Sequence, residues 1–446
     1  MSTVNQSTAP QEITHKRVLK LAVPLVLSNA TVPILGAVDL GVVGQMGAAA
    51  PIGAVGLGAI ILTTVFWIFG FLRMGTVGLV GQAAGAGDDA EVSIILTRAL
   101  LIAVAAGFAL IVLQPLIFAA ALAMSSASDE VENLARSYLS IRIWTAPAAI
   151  AIYALTGWLV AMERTSGVFW VQLVMNGVNI LLSMAFVLWL DMGVQGVAYG
   201  TVIAEVLGAG LALYLCRDAF AHPDWRKWSQ VFDRAKLIRM ALLNTDILIR
   251  SALLMIIFSS FVFLGTRFGD VTLAANEVLV QFIYITAYAM DGFAFAAETL
   301  IARAMGRGDP SRLRRSAMMT GFWGGVVCVT TSLGFALVGP CLIDVMAKSP
   351  EVQAVARTYL PWMVAAPLIG CVAWMMDGIF IGATQSRDMR NMMIVSFIVY
   401  WIAVWLFLPL WGNHGLWAAL LVSFLARGIT LSLWYPALER AANKGA

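Results

Sequence analysis

Val131-Glu132-Asn133-Leu134-Ala135-Arg136-Ser137-Tyr138-Leu139 returns, about 220 residues further on, as Val352-Gln353-Ala354-Val355-Ala356-Arg357-Thr358-Tyr359-Leu360. On either side of it, Gln82-Ala83-Ala84-Gly85-Ala86-Gly87-Asp88 returns as Arg303-Ala304-Met305-Gly306-Arg307-Gly308-Asp309, and Gly193-Val194-Gln195-Gly196 as Gly412-Asn413-His414-Gly415. Three echoes at nearly one offset, in one order, mark an internal duplication. Each copy holds several apolar runs of span length. The sequence therefore predicts an all-α integral membrane protein with about twelve transmembrane helices in two pseudo-symmetric six-helix bundles. Duplicated bundles commonly carry a substrate site at the seam between halves.

Composition agrees. Of 446 residues, 61% are hydrophobic and 12% charged, where a soluble domain carries about 25% charged residues. Mean hydropathy is +0.86. Apolar runs of about 20 residues, the length that crosses a bilayer, fall near 18–42, 53–77, 94–123, 138–162, 168–190, 194–216, 237–264, 275–300, 315–342, 355–383, 392–410 and 414–436. Residues 1–16 are polar and the first apolar run is too long for a signal peptide's apolar region. Cys216, Cys328, Cys341 and Cys371 form no pair motif, and His15, His222 and His414 are scattered. That pattern speaks against a disulfide framework, a zinc site or a haem. The net charge of +3 is no nucleic-acid signal, because the basic residues cluster at span ends.

Their placement sets an expected orientation, since Lys and Arg favour cytoplasmic loops. With the N-terminus inside, Lys16, Arg17, Lys20, Arg164, Arg217, Arg226, Lys227, Arg234, Lys236, Arg303, Arg307, Arg312, Arg314, Arg315, Arg387, Arg390, Arg440 and Lys444 all lie on one side, against mainly Arg136, Arg267 and Lys348 on the other. Both termini are expected in the cytoplasm. Residues 217–236, the longest charged interruption, read as a cytoplasmic linker between lobes at 1–216 and 237–446, with Trp225 and Trp228 at the interface.

Polar residues inside the spans carry the functional signal, because an ionisable group in a bilayer costs about 2.5–3.5 kcal/mol on insertion scales and faces protein or water. Span 1 holds Asp39, on one stripe with Ser28, Val32 and Leu35. Pro24 and Pro33 withhold backbone donors and allow this span to bend. Asp39 reads either as a functional acid or as a cap near the outer surface. Span 5 places Gln172, Asn176, Asn179 and Ser183 on one face. They suit a cavity wall and, equally, plain hydrogen bonding between helices. Span 6 carries Thr201 and Glu205. Span 7 carries Asp246 and Arg250, four apart, which can neutralise each other as a structural salt bridge. Span 8 aligns Glu277, Gln281, Tyr284, Tyr288, Asp291, Phe295 and Glu298 on a stripe about 31 Å long. Lipid cannot face such a stripe cheaply. Glu277 and Glu298 read as interfacial, and Asp291 as the better functional candidate. Span 10 holds Asp377, with Thr384 two turns on. Asp377 corresponds to the region of Thr156 in the first copy, and Asp39 to Ser259 and Ser260 in the second. Packing residues repeat and the acids do not. The 21 methionines and the many aromatic residues suit promiscuous apolar ligands, although core packing is their commoner use.

Val38-Asp39-Leu40-Gly41-Val42-Val43-Gly44, Phe71-Leu72-Arg73-Met74-Gly75-Thr76, Gly81-Gln82-Ala83-Ala84-Gly85-Ala86, Asp246-Ile247-Leu248-Ile249-Arg250-Ser251, Ala289-Met290-Asp291-Gly292-Phe293-Ala294 and Asp377-Gly378-Ile379-Phe380-Ile381-Gly382-Ala383-Thr384 together resemble the multidrug and toxic compound extrusion (MATE) family, in its DinF branch. The resemblance covers nearly the whole chain. It implies twelve spans forming a V around a central cavity, in a bacterial inner membrane. It also implies antiport, with H⁺ or Na⁺ entering as a small organic compound, often cationic, leaves. In that family the residue matching Asp39 responds to the ion, those matching Asn176 and Asn179 assist it, and Thr201 matches a polar position. Ser183 stands where many relatives have a second aspartate, which weakens an Na⁺ site and favours protons. Arg250 stands about where other branches place an acid, so their Na⁺ coordination does not transfer. Asp377 matches their span 10 acid.

The expected cycle has deprotonated Asp39 permitting drug binding. A proton then neutralises it, alters its bonds to the span 5 face and bends span 1 at Pro33. Neither an organic cofactor nor a metal is expected, and the protein is expected to act as a monomer. A lipid-linked precursor flippase is the nearest alternative. A flippase would show a strongly cationic cavity, whereas Arg250 is the clearest cation inside a span and Arg73, Arg98, Arg142 and Arg427 read as nearer span ends. An intramembrane enzyme is a distant alternative, because no recognisable motif accompanies the acids.

Overall fold

Helix ends in this chain are set by residues that can satisfy the first free N–H groups. Thr14 accepts from the Arg17 N–H, Asp88 from Glu91, Ser128 from Val131, Asp233 from Lys236 and Asp309 from Arg312. In the computed structural model, which describes residues 12–45, 49–125, 127–221 and 223–443, twelve long helices result. They are α1 (His15–Gly44), α2 (Ala49–Ala86), α3 (Asp89–Ala123), α4 (Asp129–Ala161), α5 (Thr165–Trp189), α6 (Gly193–Leu215), α7 (Arg234–Phe268), α8 (Asp270–Gly306), α9 (Pro310–Met346), α10 (Pro350–Gly382), α11 (Ser386–Trp411) and α12 (Asn413–Asn443). Eleven of them, α2 to α12, are long and apolar enough to cross a membrane. No strand occurs among the described residues. Within α1 the side chains at 32–35, 37, 39 and 40 lie outside the description, and with them those of Pro33 and Asp39.

The duplication is visible as matched elements. The Val131–Leu139 and Val352–Leu360 echoes open α4 and α10. The Gly-Asp pairs 87–88 and 308–309 form identical joints after α2 and α8. Gly87 (φ 77°) and Gly308 (φ 65°) take the left-handed conformation, which glycine adopts without a Cβ clash. The next N–H then returns to the helix, from Asp88 to the Ala83 carbonyl at 2.9 Å and from Asp309 to the Ala304 carbonyl at 3.1 Å. Each Asp side chain starts the following helix. Gly193 (φ 59°), which opens α6, and Gly412 (φ 55°), which precedes α12, are a second matched pair at positive φ. Six helices per copy return the chain to the side on which it began, so the two halves run parallel rather than inverted.

One apolar core draws almost entirely on α1–α6 and the residues just after them, centred on Leu72, Leu96, Leu139, Trp158 and Val197. A second lies within α7–α12, around Phe261, Phe282, Tyr400, Trp417 and Phe424. A third joins the start of α1 to α7–α12. Outward faces are apolar as well. Val112, Leu116, Leu181, Leu337, Trp405 and Leu433 are exposed, as residues bathed in hydrocarbon are. Between α6 and α7, short helical turns at Arg217–Phe220, Pro223–Arg226 and Trp228–Val231 fold against α3. There Arg98 donates to the carbonyls of Val231 (2.8 Å) and Gln230 (2.5 Å).

Candidate transport cavity

A cavity of about 280 Å³ sits where α2, α7, α8, α10 and α12 meet. Its wall carries three arginines and three acids: Arg73 from α2, Arg250 from α7, Asp291 and Glu298 from α8, Asp377 from α10 and Arg427 from α12. Trp67, Phe258, Phe295, Trp374 and Phe424 give it an aromatic lining. Taking an ion out of water costs several kcal/mol even after relaxation, so partners decide what each charge is for. Arg73 holds Glu298 through both oxygens, at 3.0 and 3.4 Å, and lies 3.8 Å from the centre of the Phe295 ring. Arg250 contacts Asp377 directly. Arg427 stands 3.8 Å from the same Asp377 oxygen. Asp291 has no hydrogen bond or ion pair among the described residues.

Several placements differ from what the sequence led us to expect. Asp246 and Arg250 do not neutralise each other. Asp246 accepts from Arg390 at 2.5 Å and from Ser386 at 2.9 Å, while Arg250 turns to α10. Glu298 is not interfacial but 1% exposed. Arg73 and Arg427 are not span-end residues. They lie mid-helix and face the cavity: α2 continues past Arg73 to Ala86 through glycine-rich turns, and Arg427 sits near the middle of α12. Arg142 is likewise internal, paired with Glu205 at 2.9 Å. Tyr284, Asp291, Phe295 and Glu298 of the α8 stripe line the cavity. Glu277 and Gln281 are exposed, and the Tyr288 backbone carbonyl accepts from Asn29 at 3.5 Å.

The α5 face forms a chain of hydrogen bonds between helices. Gln172 donates to Asn176 (3.1 Å), Asn176 to Thr31 of α1 (2.8 Å), Asn179 to Thr201 of α6 (2.9 Å) and Ser183 to Asn179 (3.3 Å). Asn176, Asn179, Ser183 and Thr201 are all buried. The chain touches α1 at Thr31, two turns before Asp39.

Further along α2 and α8, towards the end of the bundle that carries the starts of α1 and α7, the halves close on each other by matched contacts. Gln82 of α2 donates to Thr384 at 2.9 Å. Its counterpart Arg303 of α8 reaches Glu163 at 3.1 Å. Glu163 (φ 60°) and Thr384 (φ 56°) occupy equivalent left-handed turns after α4 and α10. A methyl on Gly85 would meet the Arg303 carbonyl oxygen, and one on Gly306 the Gln82 carbonyl oxygen. Burial pushes the Glu163 carboxyl up, but the Arg17 hydrogen bonds and the Arg303 charge outweigh it and hold the group below the ordinary carboxylate range. Arg17 makes those bonds at 2.5 and 3.1 Å.

The family described as MatE matches residues 24–185 and 247–406, one match in each half. The chain belongs to the MATE family. A MATE relative, DNA damage-inducible protein F of Escherichia coli (strain K12), is 36% identical over 421 residues, covering 94% of this chain and 92% of that protein. A probable multidrug resistance protein NorM of Rhizobium meliloti (strain 1021) is 25% identical over 68% of each chain. Among solved structures, the Vibrio cholerae MATE transporter VcmN in its bent form superposes with a TM-score of 0.85 at 18% identity, covering 97% of this chain and 98% of that one. The protein is thus a multi-pass membrane transporter of the multidrug efflux class rather than an enzyme.

Proposed function

We propose that this MATE protein is a proton-coupled antiporter that exports small organic compounds from the cytoplasm by alternating access, with Asp39 as the proton-responsive group. The observation that carries the reading is the hydrogen bond from Asn176 to Thr31. It ties the buried polar chain of α5 to the helix that bears Asp39. A change of charge on that helix alters what the chain can donate and accept, and a ligand or proton moves a two-state protein only through such differential interaction. Protons are favoured over Na⁺ because Ser183, Asn179 and Thr201 are neutral and already bonded to one another. Pro33 is the proposed hinge, Asp291 and Asp377 belong to the cargo site, and the matched seal at Gln82 and Arg303 closes the cytoplasmic face.

The test is transport by the purified protein in proteoliposomes, with pH and Na⁺ gradients imposed separately. Efflux driven by the pH gradient alone supports the reading. Efflux that follows Na⁺ at equal pH overturns its ion assignment. A flippase of lipid-linked precursors is the second reading, favoured by the convergence of Arg73, Arg250 and Arg427 on one cavity; a lipid-turnover assay in the same vesicles separates the two.

A further inference from the structure

The charges in the cavity do not balance where they stand. Arg73 and Glu298 form a closed pair. In the corner made by α7, α10 and α12, two guanidinium groups share one carboxylate, and both approach the same oxygen of Asp377. Arg427 is 3% exposed and its side chain makes no hydrogen bond among the described residues. Its Nε, the Nε of Arg250 and the second oxygen of Asp377 are buried without partners. A buried lysine or carboxyl could shed its charge, but a guanidinium cannot be deprotonated in a protein. The corner therefore holds one positive charge in excess, and that charge is desolvated.

An anion with paired acceptor oxygens, which the forked N–H donors of arginine fit two at a time, satisfies such a corner. The surrounding wall of Trp374, Phe258 and Phe424 is aromatic. Asp291 lies on the same cavity and brings the cavity's acids to three against three arginines, but it hydrogen-bonds neither Arg250 nor Arg427, so it leaves the donors of the corner unfilled.

We propose that the cavity takes its cargo through an anionic group, a carboxylate, sulfonate or phosphate, seated between Arg250 and Arg427, with the apolar body of the cargo against the aromatic wall. This departs from the cationic cargo expected by resemblance. It rests on the reading of the cavity as the transport site.

The test uses the full-length protein in phosphatidylcholine nanodiscs and three probes with one fluorophore: dansylglycine (anionic), its methyl ester (neutral) and dansylcadaverine (cationic). Dansylglycine should bind roughly tenfold more tightly than its ester, the scale of one hydrogen-bonded charge. Arg427→Gln should abolish the preference and Arg427→Lys should keep part of it. Equal or tighter binding of the ester or the cation overturns the proposal, as does a full preference in Arg427→Gln. If Arg427→Gln does not fold, the ester comparison and Arg427→Lys decide, the latter by losing part of the preference or none. Nanodiscs containing phosphatidylglycerol identify the source of the anion. Displacement of dansylglycine assigns the corner to a lipid headgroup, and no displacement to a soluble anion; either supports the corner. Transport distinguishes the two failures. A carboxylate preference without gradient-driven movement of any probe overturns the antiporter reading and leaves the corner standing. Movement of dansylcadaverine alone does the reverse.

Discussion

The two halves differ in how many ions they bury among their polar residues. In the first half the polar face of α5 is neutral: Gln172, Asn176, Asn179, Ser183, Thr201 and Thr31, buried or half-buried, pass hydrogen bonds from helix to helix, beside the ion pairs Arg142–Glu205 and Arg98–Glu91. The second half has a neutral network too, joining Asn276, Asn413 and Trp417, but it adds a concentration of buried ions, with Arg250, Arg427 and Asp377 crowded into one corner and Asp246 held by Arg390. The architecture was duplicated and the chemistry was divided. Neutral donors and acceptors can be reordered at small cost, which suits a response to a proton. Fixed charges cannot, which suits holding a ligand.

The largest test of this contrast is Asp377→Ala. It strands two buried guanidinium groups, so the variant should lose about 3–5 kcal/mol of stability, read as a fall in thermal unfolding temperature in detergent. A loss below that of a surface mutation would mean that the corner is wetter than its burial indicates. Gly306→Val comes next. Its side chain would press on the Gln82 carbonyl, with an overpacking cost of about 1–3 kcal/mol. The matched seal between α2 and α8 should open, and cysteine labelling from the cytoplasmic face should rise; unchanged labelling would show that the seal lies elsewhere. Asn179→Ala should cost little stability, at about 0.6 kcal/mol for each hydrogen bond between helices that it removes, yet slow transport. If it destabilises the protein as much as Asp377→Ala does, the contrast between the halves fails.

The smallest effect concerns pH. Glu163 has its pKa lowered on folding. Its contribution is therefore complete above the ordinary carboxylate range and is lost as pH falls through the lowered folded value. Thermal unfolding of the wild type should show an acid step that Glu163→Gln lacks. An identical acid profile in the two proteins would remove Glu163 from the seal.

Much of this was legible in the chain. The repeat, the helix count and the joints at Gly87-Asp88 and Gly308-Asp309 depend on local rules, namely apolar span length, left-handed glycine and aspartate caps, so they appear in the sequence. Helical periodicity also aligned Tyr284, Asp291, Phe295 and Glu298 correctly on one face. It cannot say which helix that face meets. Asp246 and Arg250 share a face and still choose partners on α11 and α10. Apolar length also misplaced Arg73. Gly75, Gly78, Gly81 and Gly85 make the last turns of α2 less apolar, although those turns are helical and packed against α8, so a mid-helix arginine read as a terminal one. Arg427 was missed because a single arginine in a long apolar run carries no sign of the pair it joins.

The account turns on whether the first half senses the proton while the second holds the cargo. The direct measurement is dansylglycine binding and pH-driven efflux by wild type and Asp39→Asn, side by side in the same liposomes. The account predicts that Asp39→Asn binds the probe as the wild type does and fails to move it. Movement at the wild-type rate would contradict the account.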